Sequence, residues 1–511
     1  MNADPIKPDR LLFDAKCVRE LDRIAIEEKG IPGIVLMKRA GKAVFSLINS
    51  RWSDFRSLIV FCGSGNNGGD GYVVAGLAKQ AGVPVRLFEI SEPERVSGDA
   101  RKARQFALRQ GLVPENFTGF DGQFEAGVVV VDALLGTGFN GEPSDEYARL
   151  IDLINNCSAR KVKSNSMRVI SADIPSGLEA STGRASSHVI RADVTVSFIG
   201  QKFGAWTGAG CEYCGELMFD GLGVPEDLYA APQAMANVLS LSEELNALPV
   251  RGALNHKGSH GHLLVIGGAP GMGGAPLMTA VAALRTGVGL VSVATHPDHL
   301  SALLMKQPEL MAHGLDSGSQ IDSLLERATV IAIGPGLGTD AWAQRIMQAT
   351  LASGKPLLLD ADALNLLSEG LFPSTAIKSD LIMTPHPGEA SRLLGITSRE
   401  VQSDRYSAIS LLTEKFSGVQ VLKGAGTLVQ FQDQLSLCSY GNPGMGSGGM
   451  GDVLTGIIAG LWAQGLQPEQ AARLGVCVHS KAADLLAEKY GQRGLLAMDL
   501  IPVVRELLNV R

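Results

Sequence analysis

A glycine-rich segment from Gly441 to Leu461, GNPGMGSGGMGDVLTGIIAGL, contains the residue types that a phosphate site requires. Closely spaced glycines let backbone N–H groups turn toward a ligand. The apolar run after Asp452 predicts a buried helix whose positive end faces the same point. An aspartate at the start of that helix could simply cap it. A carboxylate beside a phosphate is unfavourable unless it has a task, and the task that fits is to take a proton from a hydroxyl that attacks a phosphoryl group.

Three shorter motifs precede this segment, each directly after an apolar run that predicts a strand. The lysine of KGAGT, 423–427, can serve as a point charge for phosphate, although the same residues also suit a hairpin turn. His386 in TPHPGE, 384–389, stands between two prolines, as in a turn with an exposed histidine. The glycines of GPGLG, 334–338, permit close backbone approach to a ligand. Such loops at successive strand ends together predict a ligand site, and the lack of GxxxxGK[ST] in this half argues against a P-loop kinase.

The first half of the chain carries a second group of motifs. GSGNNGGDG, 63–71, lies between an apolar run and a helical stretch, which is the placement of a dinucleotide loop without the usual GxGxxG frame. Asp132 and Asp173 each end a later apolar run, where they either work on a ligand or cap and turn the chain. Oxygen ligands from Asp, Asn and Ser suit magnesium, calcium or an alkali cation rather than zinc.

Apolar runs alternate with helical spacing on both sides of a stretch, 221–260, that contains three prolines. This alternation predicts parallel sheets with helices on both faces. We therefore predict an α/β protein with two domains, residues 1–225 and 240–511, each with ligand loops at the carboxyl ends of its strands. The predicted strands are 57–62, 84–90, 127–132, 168–173, 193–199, 262–266, 290–294, 329–333, 356–360, 381–384 and 419–423, with mostly helix after Asn442.

The composition and charge of the chain indicate which classes of protein it can belong to. The 511 residues carry a formal net charge of −7, which disfavours a nucleic-acid partner, and the short basic run 160–163 is interpreted as a solvated loop. The N-terminus has no apolar signal-peptide core, and the seven cysteines show no metal-ligand grouping, so we expect a cytoplasmic protein with free thiols. The uncharged stretches 258–284 and 453–467 are interrupted by glycine, and we expect buried elements rather than membrane spans.

The second-half motifs together resemble the dehydratase domain of the NAD(P)H-hydrate repair enzymes, which has a ribokinase-like fold. The matching stretches include Lys257-Gly258, GGAP at 273–276 and GSGGMGDVLTGIIAG at 446–460. The resemblance implies a catalytic base at Asp452. It implies nucleotide contacts at Lys423, Gly424, Ala425, Gly426, Thr427 and Gly451, and contacts with a hydrated dinucleotide at Ala275, Gly338, His386 and Asp452.

The motifs NNGGDGY, VDALLGTGFNGE and SADIPSGL, in this order, resemble the epimerase domain of the same repair system, the YjeF N-terminal type, which has a Rossmann-like three-layer sheet. The resemblance implies that Asp173 contacts the nicotinamide end of the substrate and shuttles a proton. It implies potassium ligands at Asn67, Asp132 and Ser176. It implies contacts with the substrate phosphates at Asn66, Asn67, Gly68, Gly69, Asp70, Gly136, Thr137, Gly138, Phe139, Asn140, Gly141 and Glu142.

The implied activity is the repair of NADH and NADPH hydrated at C6 of the nicotinamide ring. The first domain would interconvert the R and S hydrates. The second would dehydrate the S form with ADP and magnesium, giving AMP and phosphate, although the residues themselves do not distinguish ADP from ATP. We also expect a homo-oligomer. Two alternatives fit the residues: a vitamin or hydroxymethylpyrimidine-type kinase with a regulatory domain, and a nucleotide-sensing scaffold.

Overall fold

A computed structural model describes residues 7–117, 120, 122–159, 167–316, 321–372 and 380–510. The basic run 160–163 lies outside these ranges. The chain divides into two compact units, Met1–Asn237 and Val238–Arg511, at a point inside the stretch in which we placed the domain boundary. Across the described residues, no helix combines the length and the apolar composition that a membrane crossing requires.

The N-terminal unit is organised around a parallel sheet with the strand order β4-β3-β2-β5-β6-β7-β9. Its strands are β1 (Leu11–Phe13), β2 (Ser57–Cys62), β3 (Val85–Glu89), β4 (Glu115–Asn116), β5 (Val128–Ala133), β6 (Arg168–Ala172), β7 (Val194–Phe198), β8 (Gln201–Lys202), β9 (Glu216–Asp220) and β10 (Ala236–Val238). Its helices are α1 (Ala15–Arg23), α2 (Gly33–Arg51), α3 (Asn66–Gln80), α4 (Gly98–Arg109), α5 (Asp145–Ala159) and α6 (Gly210–Tyr213).

Both faces of this sheet are covered, because neighbouring residues of a strand point to opposite sides. Val60 on β2 belongs to the core formed with α1 to α4, whereas its neighbours Ile59 and Phe61 belong to the core formed with α5. Strand β1 pairs with β8 and β10 apart from this sheet. The result is a sheet with helices on each face, and its carboxyl ends are free to hold a ligand.

The C-terminal unit contains a larger sheet with the order β13-β12-β11-β14-β15-β16-β17-β18-β19. Its strands are β11 (His262–Ile266), β12 (Leu290–Thr295), β13 (Met311–Gly314), β14 (Val330–Ile333), β15 (Leu357–Leu359), β16 (Leu381–Met383), β17 (Val419–Leu422), β18 (Thr427–Phe431) and β19 (Gln434–Cys438). Its helices are α7 (Leu241–Glu244), α8 (Gly274–Thr286), α9 (Leu300–Lys306), α10 (Asp322–Arg327), α11 (Ala341–Ala352), α12 (Ala361–Ser368), α13 (Pro387–Leu394), α14 (Ser398–Ser403), α15 (Arg405–Phe416), α16 (Met450–Ala463), α17 (Pro468–Tyr490) and α18 (Ala497–Leu507).

Helices α8, α16, α17 and α18 pack on one face of this second sheet. Strands β11 to β17 run parallel, and β18 and β19 continue the sheet as an antiparallel hairpin. Glycines bring α16 and α8 into backbone contact: a Cβ at Gly456 would lie 2.0 Å from the carbonyl oxygen of Thr279, and one at Gly460 would lie 2.5 Å from Thr286 Oγ1. The uncharged stretch 453–467 is thus part of a buried helix.

The prediction of an α/β protein with two domains and parallel sheets is confirmed. The predicted strands agree with the observed ones to within one or two residues. The short strands β4 and β13 and the hairpin β18–β19 were not predicted, because strands of two to five residues with polar ends give little periodicity.

Because α8 and α16 are in close contact at Gly456, alanine substitutions at Gly456 and at Gly274 should affect the stability of the protein differently. Gly456→Ala removes a flexible residue from a helix, which by itself stabilises by about 1 kcal/mol. The new methyl group would collide with Thr279 backbone, so we expect a net destabilisation of about 1–3 kcal/mol, as for other overpacked cores. Gly274→Ala, whose Cβ would have no neighbour within 4 Å, is the control. The midpoint of thermal unfolding should be lower for Gly456→Ala than for Gly274→Ala. Equal midpoints would contradict a tight contact between α8 and α16.

Candidate active sites in the two units

A cavity of about 730 Å³ lies at the carboxyl ends of β2, β5 and β6 in the N-terminal unit. The chain leaves neighbouring strands in opposite directions here, since β2 has β3 on one side and β5 on the other. Such a switch point is where open α/β sheets bind ligands. The N-terminus of α3, the loop after β5 and Asp173 all contribute to the cavity wall.

The NNGGDG motif belongs to helix α3 and not to a loop, which corrects our expectation that the helix begins at Tyr72. Gly65 is the N-cap, and a Cβ at Gly68 would lie 1.9 Å from Gly63 carbonyl oxygen, so this glycine lets the helix start directly on the turn. Gly69 packs against Met37 in the same way. Asn66, Asn67 and Asp70 line the cavity, where the first N–H groups of the helix favour an anion.

The loop after β5 forms a second wall of the same cavity. Gly141 has a positive φ of 86° and donates its N–H to Glu179 Oε1 at 3.4 Å. The Glu142 carboxylate accepts the N–H of Ser187 at 2.9 Å. The structure therefore brings this loop and the start of α3 together. The loop residues that line the cavity are Gly136, Thr137, Gly138, Phe139, Asn140 and Glu142.

Asp132 and Ser176 are hydrogen-bonded to each other, and Asn67 and Ser176 both contact the backbone of Leu135. The Asp132 carboxylate is fully buried and accepts hydrogen bonds from the backbone N–H of Ser176 at 2.9 Å and from Ser171 Oγ at 2.8 Å. Burial raises the pKa of Asp132, and these hydrogen bonds act in the opposite direction. Asn67 donates to the carbonyl oxygen of Leu135 at 3.0 Å, while its own Oδ1 is buried and has no hydrogen-bond partner among the described residues.

Asp173 faces the cavity in an unusual backbone conformation. Its φ is 68°, in the left-handed region that only a few non-glycine residues adopt, and such strain is concentrated at functional sites. Its carboxylate contacts the ammonium of Lys202 and accepts the N–H of Phe198 at 3.2 Å. Lys202 is 1% exposed, whereas the Asp173 side chain is 16% exposed. A buried cation thus holds a carboxylate at the cavity surface.

Two further carboxyl groups, Asp22 and Asp70, line the same cavity. The pKa of Asp22 is raised to about 6, mainly by burial; Lys202 lowers it and the nearby charge of Asp173 raises it. Burial, followed by the charges of Asp173 and Asp22, raises the pKa of Asp70 well above its usual range. The cavity therefore combines a carboxylate that is paired with a lysine and a carboxyl group whose pKa is raised well above its usual value.

The glycine-rich segment of the C-terminal unit leads into α16 through Gly449, which has a φ of 90° and is the N-cap. Asp452 is the third residue of the helix and does not cap it, since the cap position requires a left-handed backbone that glycine provides. A side chain at Gly451 would come within 3.4 Å of Lys423 Nζ. The structure thus brings Lys423, Gly451 and Asp452 together, as the sequence predicted.

Lys423 and Asp360 form a buried ion pair beside this helix start. Their charged atoms are 2.8 Å apart, and the other oxygen of Asp360 accepts a hydrogen bond from Thr455 Oγ1 at 2.8 Å. Glu389 lies 3.8 Å from the same ammonium. Burial raises the pKa of Asp452 to about 7; the charge of Asp360 raises it as well, and that of Lys423 lowers it. Asp452 is therefore suited to accept a proton near neutral pH.

KGAGT forms the turn between β17 and β18, so the hairpin and the ligand loop are the same segment. Arg405, which is fully buried, holds this turn from behind. Its guanidinium donates to the carbonyl oxygens of Leu422 at 3.1 Å and of Lys423 and Gly426 at 3.3 Å. These bonds occupy the carbonyl side of the turn.

His386 is the N-cap of α13, and the two prolines on either side restrict its backbone. Its Nδ1 accepts the N–H of Gly388 at 2.9 Å, while its Nε2 lies 3.3 Å from Glu389 Oε1. Burial and then the charge of Lys423 lower the pKa of this histidine. A neutral ring with its proton on Nε2 satisfies both contacts.

GPGLG packs against the loop before α8 and against the first turn of that helix, which carries GGAP. The N–H of Ala269 donates to the carbonyl oxygen of Gly336 at 2.7 Å, and a Cβ at Gly336 would lie 3.2 Å from that of Ala275. The N–H of Gly338 donates to Asp362 Oδ2 at 2.8 Å. Asp362 also contributes to the raised pKa of Asp452, so these loops border the same site.

Sequence reasoning missed four residues that shape these sites: Lys202, Asp360, Glu389 and Arg405. Asp360 could have been found, because it ends a predicted strand as Asp132 and Asp173 do. Glu389 lies within TPHPGE. Lys202 and Arg405 have no local signal, since their partners are distant in the chain and depend on the fold.

Two family models match the chain. The model described as "NAD(P)H-hydrate dehydratase" matches residues 263–505, and the model described as "YjeF-related protein N-terminus" matches residues 33–204. Among solved structures, the ADP/ATP-dependent NAD(P)H-hydrate dehydratase from Bacillus subtilis co-crystallized with ATP/Mg²⁺ is 30% identical, covers 53% of this chain and 96% of that chain, and has a TM-score of 0.49.

Curated relatives match over almost the whole length. The bifunctional NAD(P)H-hydrate repair enzyme Nnr of Coxiella burnetii is 44% identical over 500 residues, which cover 98% of this chain and 99% of that protein. The protein of the same name from Escherichia coli K12 is 41% identical over 518 residues and covers 100% of this chain and 96% of its own length. The chain belongs to the family of bifunctional NAD(P)H-hydrate repair enzymes.

Proposed function

We propose that this protein repairs NADH and NADPH hydrated at C6 of the nicotinamide ring, using one active site in each unit. The N-terminal domain, residues 1–225, interconverts the R and S hydrates. The C-terminal domain, residues 240–511, dehydrates the S hydrate and converts ADP to AMP and phosphate. Full-length similarity to the repair enzymes supports both activities. Within the molecule, the placement of Asp452 beside the buried Lys423–Asp360 pair carries the proposal.

The dehydration begins with a poor leaving group, because the substrate carries a hydroxyl at C6. Asp452 takes the hydroxyl proton as the oxygen attacks the terminal phosphoryl group of ADP. N–H groups of the Gly446–Gly451 segment stabilise the transferring group. Phosphate then leaves C6 as the lone pair of the ring nitrogen forms a C=N bond, and loss of a C5 proton restores the dihydropyridine. The phosphorylated species is thus an intermediate and not the product.

The nucleotide lies along the KGAGT turn, in this proposal, with Lys423 directed at its phosphates. Arg405 supports the turn from behind through hydrogen bonds to its carbonyl oxygens. Ala275, Gly338 and His386 contact the hydrated dinucleotide. Magnesium suits this site, since carboxylates near the phosphates supply the hard oxygen donors it prefers, and it would neutralise phosphate charge. The nucleotide-contacting residues are Lys423, Gly424, Ala425, Gly426, Thr427 and Gly451.

The epimerisation uses the chemistry of a carbon that carries both a hydroxyl and a ring nitrogen. The hydroxyl can leave and return, or the ring can open and close, and either route exchanges the two hands of C6. Asp173 shuttles the proton. The helix start and the loop after β5 bind the phosphates of the substrate. These residues are Asn66, Asn67, Gly68, Gly69, Asp70, Gly136, Thr137, Gly138, Phe139, Asn140, Gly141 and Glu142.

Potassium fits the group of oxygens formed by Asn67, Asp132 and Ser176. The buried Oδ1 of Asn67 has no hydrogen-bond partner among the described residues, as expected for an atom reserved for a cation. When bound, the ion would orient the substrate phosphates and balance their charge. A cytoplasmic location and a homo-oligomeric state stay predictions from the sequence.

The proposed dehydration is tested with separated R and S hydrates of NADH and with ADP, following the recovery of NADH absorbance. The wild-type protein should restore NADH from both hydrates only when ADP is present. Asp452→Asn should lower turnover by about 10²–10⁴-fold, because the base is lost, while ADP still binds. Near-normal turnover in this variant would remove Asp452 from the mechanism. A stable phosphorylated product would instead identify a kinase.

The raised pKa of Asp452 predicts how dehydration depends on pH. A base works only when ionised, so kcat/KM should fall as the pH drops below about 7. Lys423→Met removes a positive charge that lowers the pKa of Asp452, and the acidic limb should move to higher pH. Lys415→Met is the control, because this ammonium is bound to the carbonyl oxygen of Leu393 at 2.7 Å. A limb that stays in place in Lys423→Met would contradict the assigned coupling.

Potassium binding predicts a salt-specific stabilisation. An ion that binds only the folded state raises its stability, so potassium chloride should raise the melting temperature of the N-terminal unit more than lithium chloride does. Asn67→Leu should abolish this difference, since it removes the unpartnered oxygen. Asn66→Leu, a neighbouring and exposed position, should retain it. The same salt response in both variants would argue against the site.

A further inference from the structure

Three carboxyl groups share one ammonium in the cavity of the N-terminal unit. Asp22, Asp70, Asp173 and Lys202 all line it. If every carboxyl were ionised, the group would carry a net charge of −2 in a largely buried place, which is costly. Like charges in one site are relieved when some groups keep their protons. The contacts of Lys202 decide which carboxyl stays ionised.

The ammonium of Lys202 forms an ion pair with Asp173. The three N–H donors meet the Asp173 carboxylate, the carbonyl oxygen of Phe198 at 2.9 Å and Ser197 Oγ at 3.3 Å. Asp173 also accepts the N–H of Phe198 at 3.2 Å. Asp173 lines the cavity with a side chain that is 16% exposed, so Lys202 holds its carboxylate there as an ion pair.

Asp70, unlike Asp173, keeps its proton. It lies on the first turns of α3 and is nine-tenths buried. Burial and the charges of Asp173 and Asp22 keep its proton in place to well above the usual pKa of an aspartate, although Lys202 acts in the other direction. Burial raises the pKa of the Cys62 thiol at the end of β2, so this group adds no charge to the surroundings.

Three further charged groups line the cavity: Arg19 on α1, Asp99 on α4 and Glu142 in the loop after β5. Asp99 is bound by Lys102 at 2.8 Å, and Arg19 is an exposed residue. None of the three offers Asp70 a buried cation comparable to Lys202.

We propose that Asp70 is the proton donor and Asp173 the proton acceptor of the epimerisation, and that Lys202 is the positioning residue that assigns these opposite roles. The inference rests on the proposed function of this unit and replaces the phosphate contact expected for Asp70. A neutral acid and a carboxylate that line the same cavity are suited to a reaction that needs both a proton donor and a proton acceptor.

Asp173 and Asp70 can supply the proton acceptor and the proton donor for epimerisation by ring opening. Asp173 takes the C6 hydroxyl proton as the C6=O bond forms and the C6–N1 bond breaks. The electron pair of the broken bond stays on N1, which takes the proton of Asp70. Rotation about C5–C6 presents the other face of the aldehyde. N1 then attacks this face, returns its proton to Asp70, and the oxygen recovers the proton held by Asp173. No oxidant or reductant is needed.

The test follows conversion of the pure R hydrate to the S hydrate without ADP, after subtraction of the enzyme-free rate. The wild-type protein should show a bell-shaped pH dependence of kcat. Asp70→Asn should lower kcat on the order of 10²–10⁴-fold, keep KM close to wild type and lose the alkaline limb. Lys202→Met should move the acidic limb to higher pH, and Lys202→Arg should restore part of the activity. Asp227→Asn, an exposed partner of Lys29, is the surface control.

Several outcomes would overturn the proposal. Asp70→Asn with wild-type kcat, with only a raised KM, or with the alkaline limb intact would each show that Asp70 is not the donor. ADP-dependent dehydration of the pure S hydrate in the same variants checks that the chain is folded, and circular dichroism checks the N-terminal unit. If the wild-type protein itself does not interconvert the hydrates, the proposed function fails, and this result differs from all of the others.

Discussion

The buried pair of Lys423 and Asp360 connects the parts on which the C-terminal site depends. It joins the end of β15 to the end of β17, and Thr455 ties the same carboxylate to α16. Removing one partner of such a pair leaves an unpaired buried charge, which costs about 3–5 kcal/mol. The pair therefore fixes the distance between the KGAGT turn and Asp452. It also sets the electrostatic field, because the two charges act in opposite directions on the pKa of Asp452.

The N-terminal unit solves a related problem with different elements. The Lys202 side chain is 1% exposed and that of Lys423 is 18% exposed, and Lys202 too contacts a carboxylate at the end of a parallel strand. In both units a lysine forms an ion pair with one of the acidic residues of the site. Histidine plays a smaller part: His386 is kept neutral by burial and by Lys423, and its hydrogen bonds to α13 make it a structural cap as well as a candidate contact.

The sequence predicted most of the elements and the general location of both sites. Strand ends such as Cys62 and Leu422 could be read because buried parallel strands are short apolar runs. The interpretation of NNGGDG as a loop was wrong. Glycine disfavours a helix in general, but here the close contact between the helix and Gly63 requires glycine. The interpretation of Asp452 as a cap was open and the structure assigns the cap to Gly449. Lys202 and Arg405 could not be predicted, since nothing near them in the chain indicates their partners.

The glycines of α16 have a consequence for motion within the C-terminal unit. Gly456 and Gly460 bring the backbones of α16 and α8 together without intervening side chains. Because α8 carries Ala275 on its first turn and α16 carries Asp452, the distance between these two walls of the site can change only slightly. Side chains at a crossing can change rotamer and absorb a shift of several tenths of an ångström, whereas touching backbones cannot. The Asp452 carboxylate should consequently show small thermal displacements relative to the opposite wall of the site.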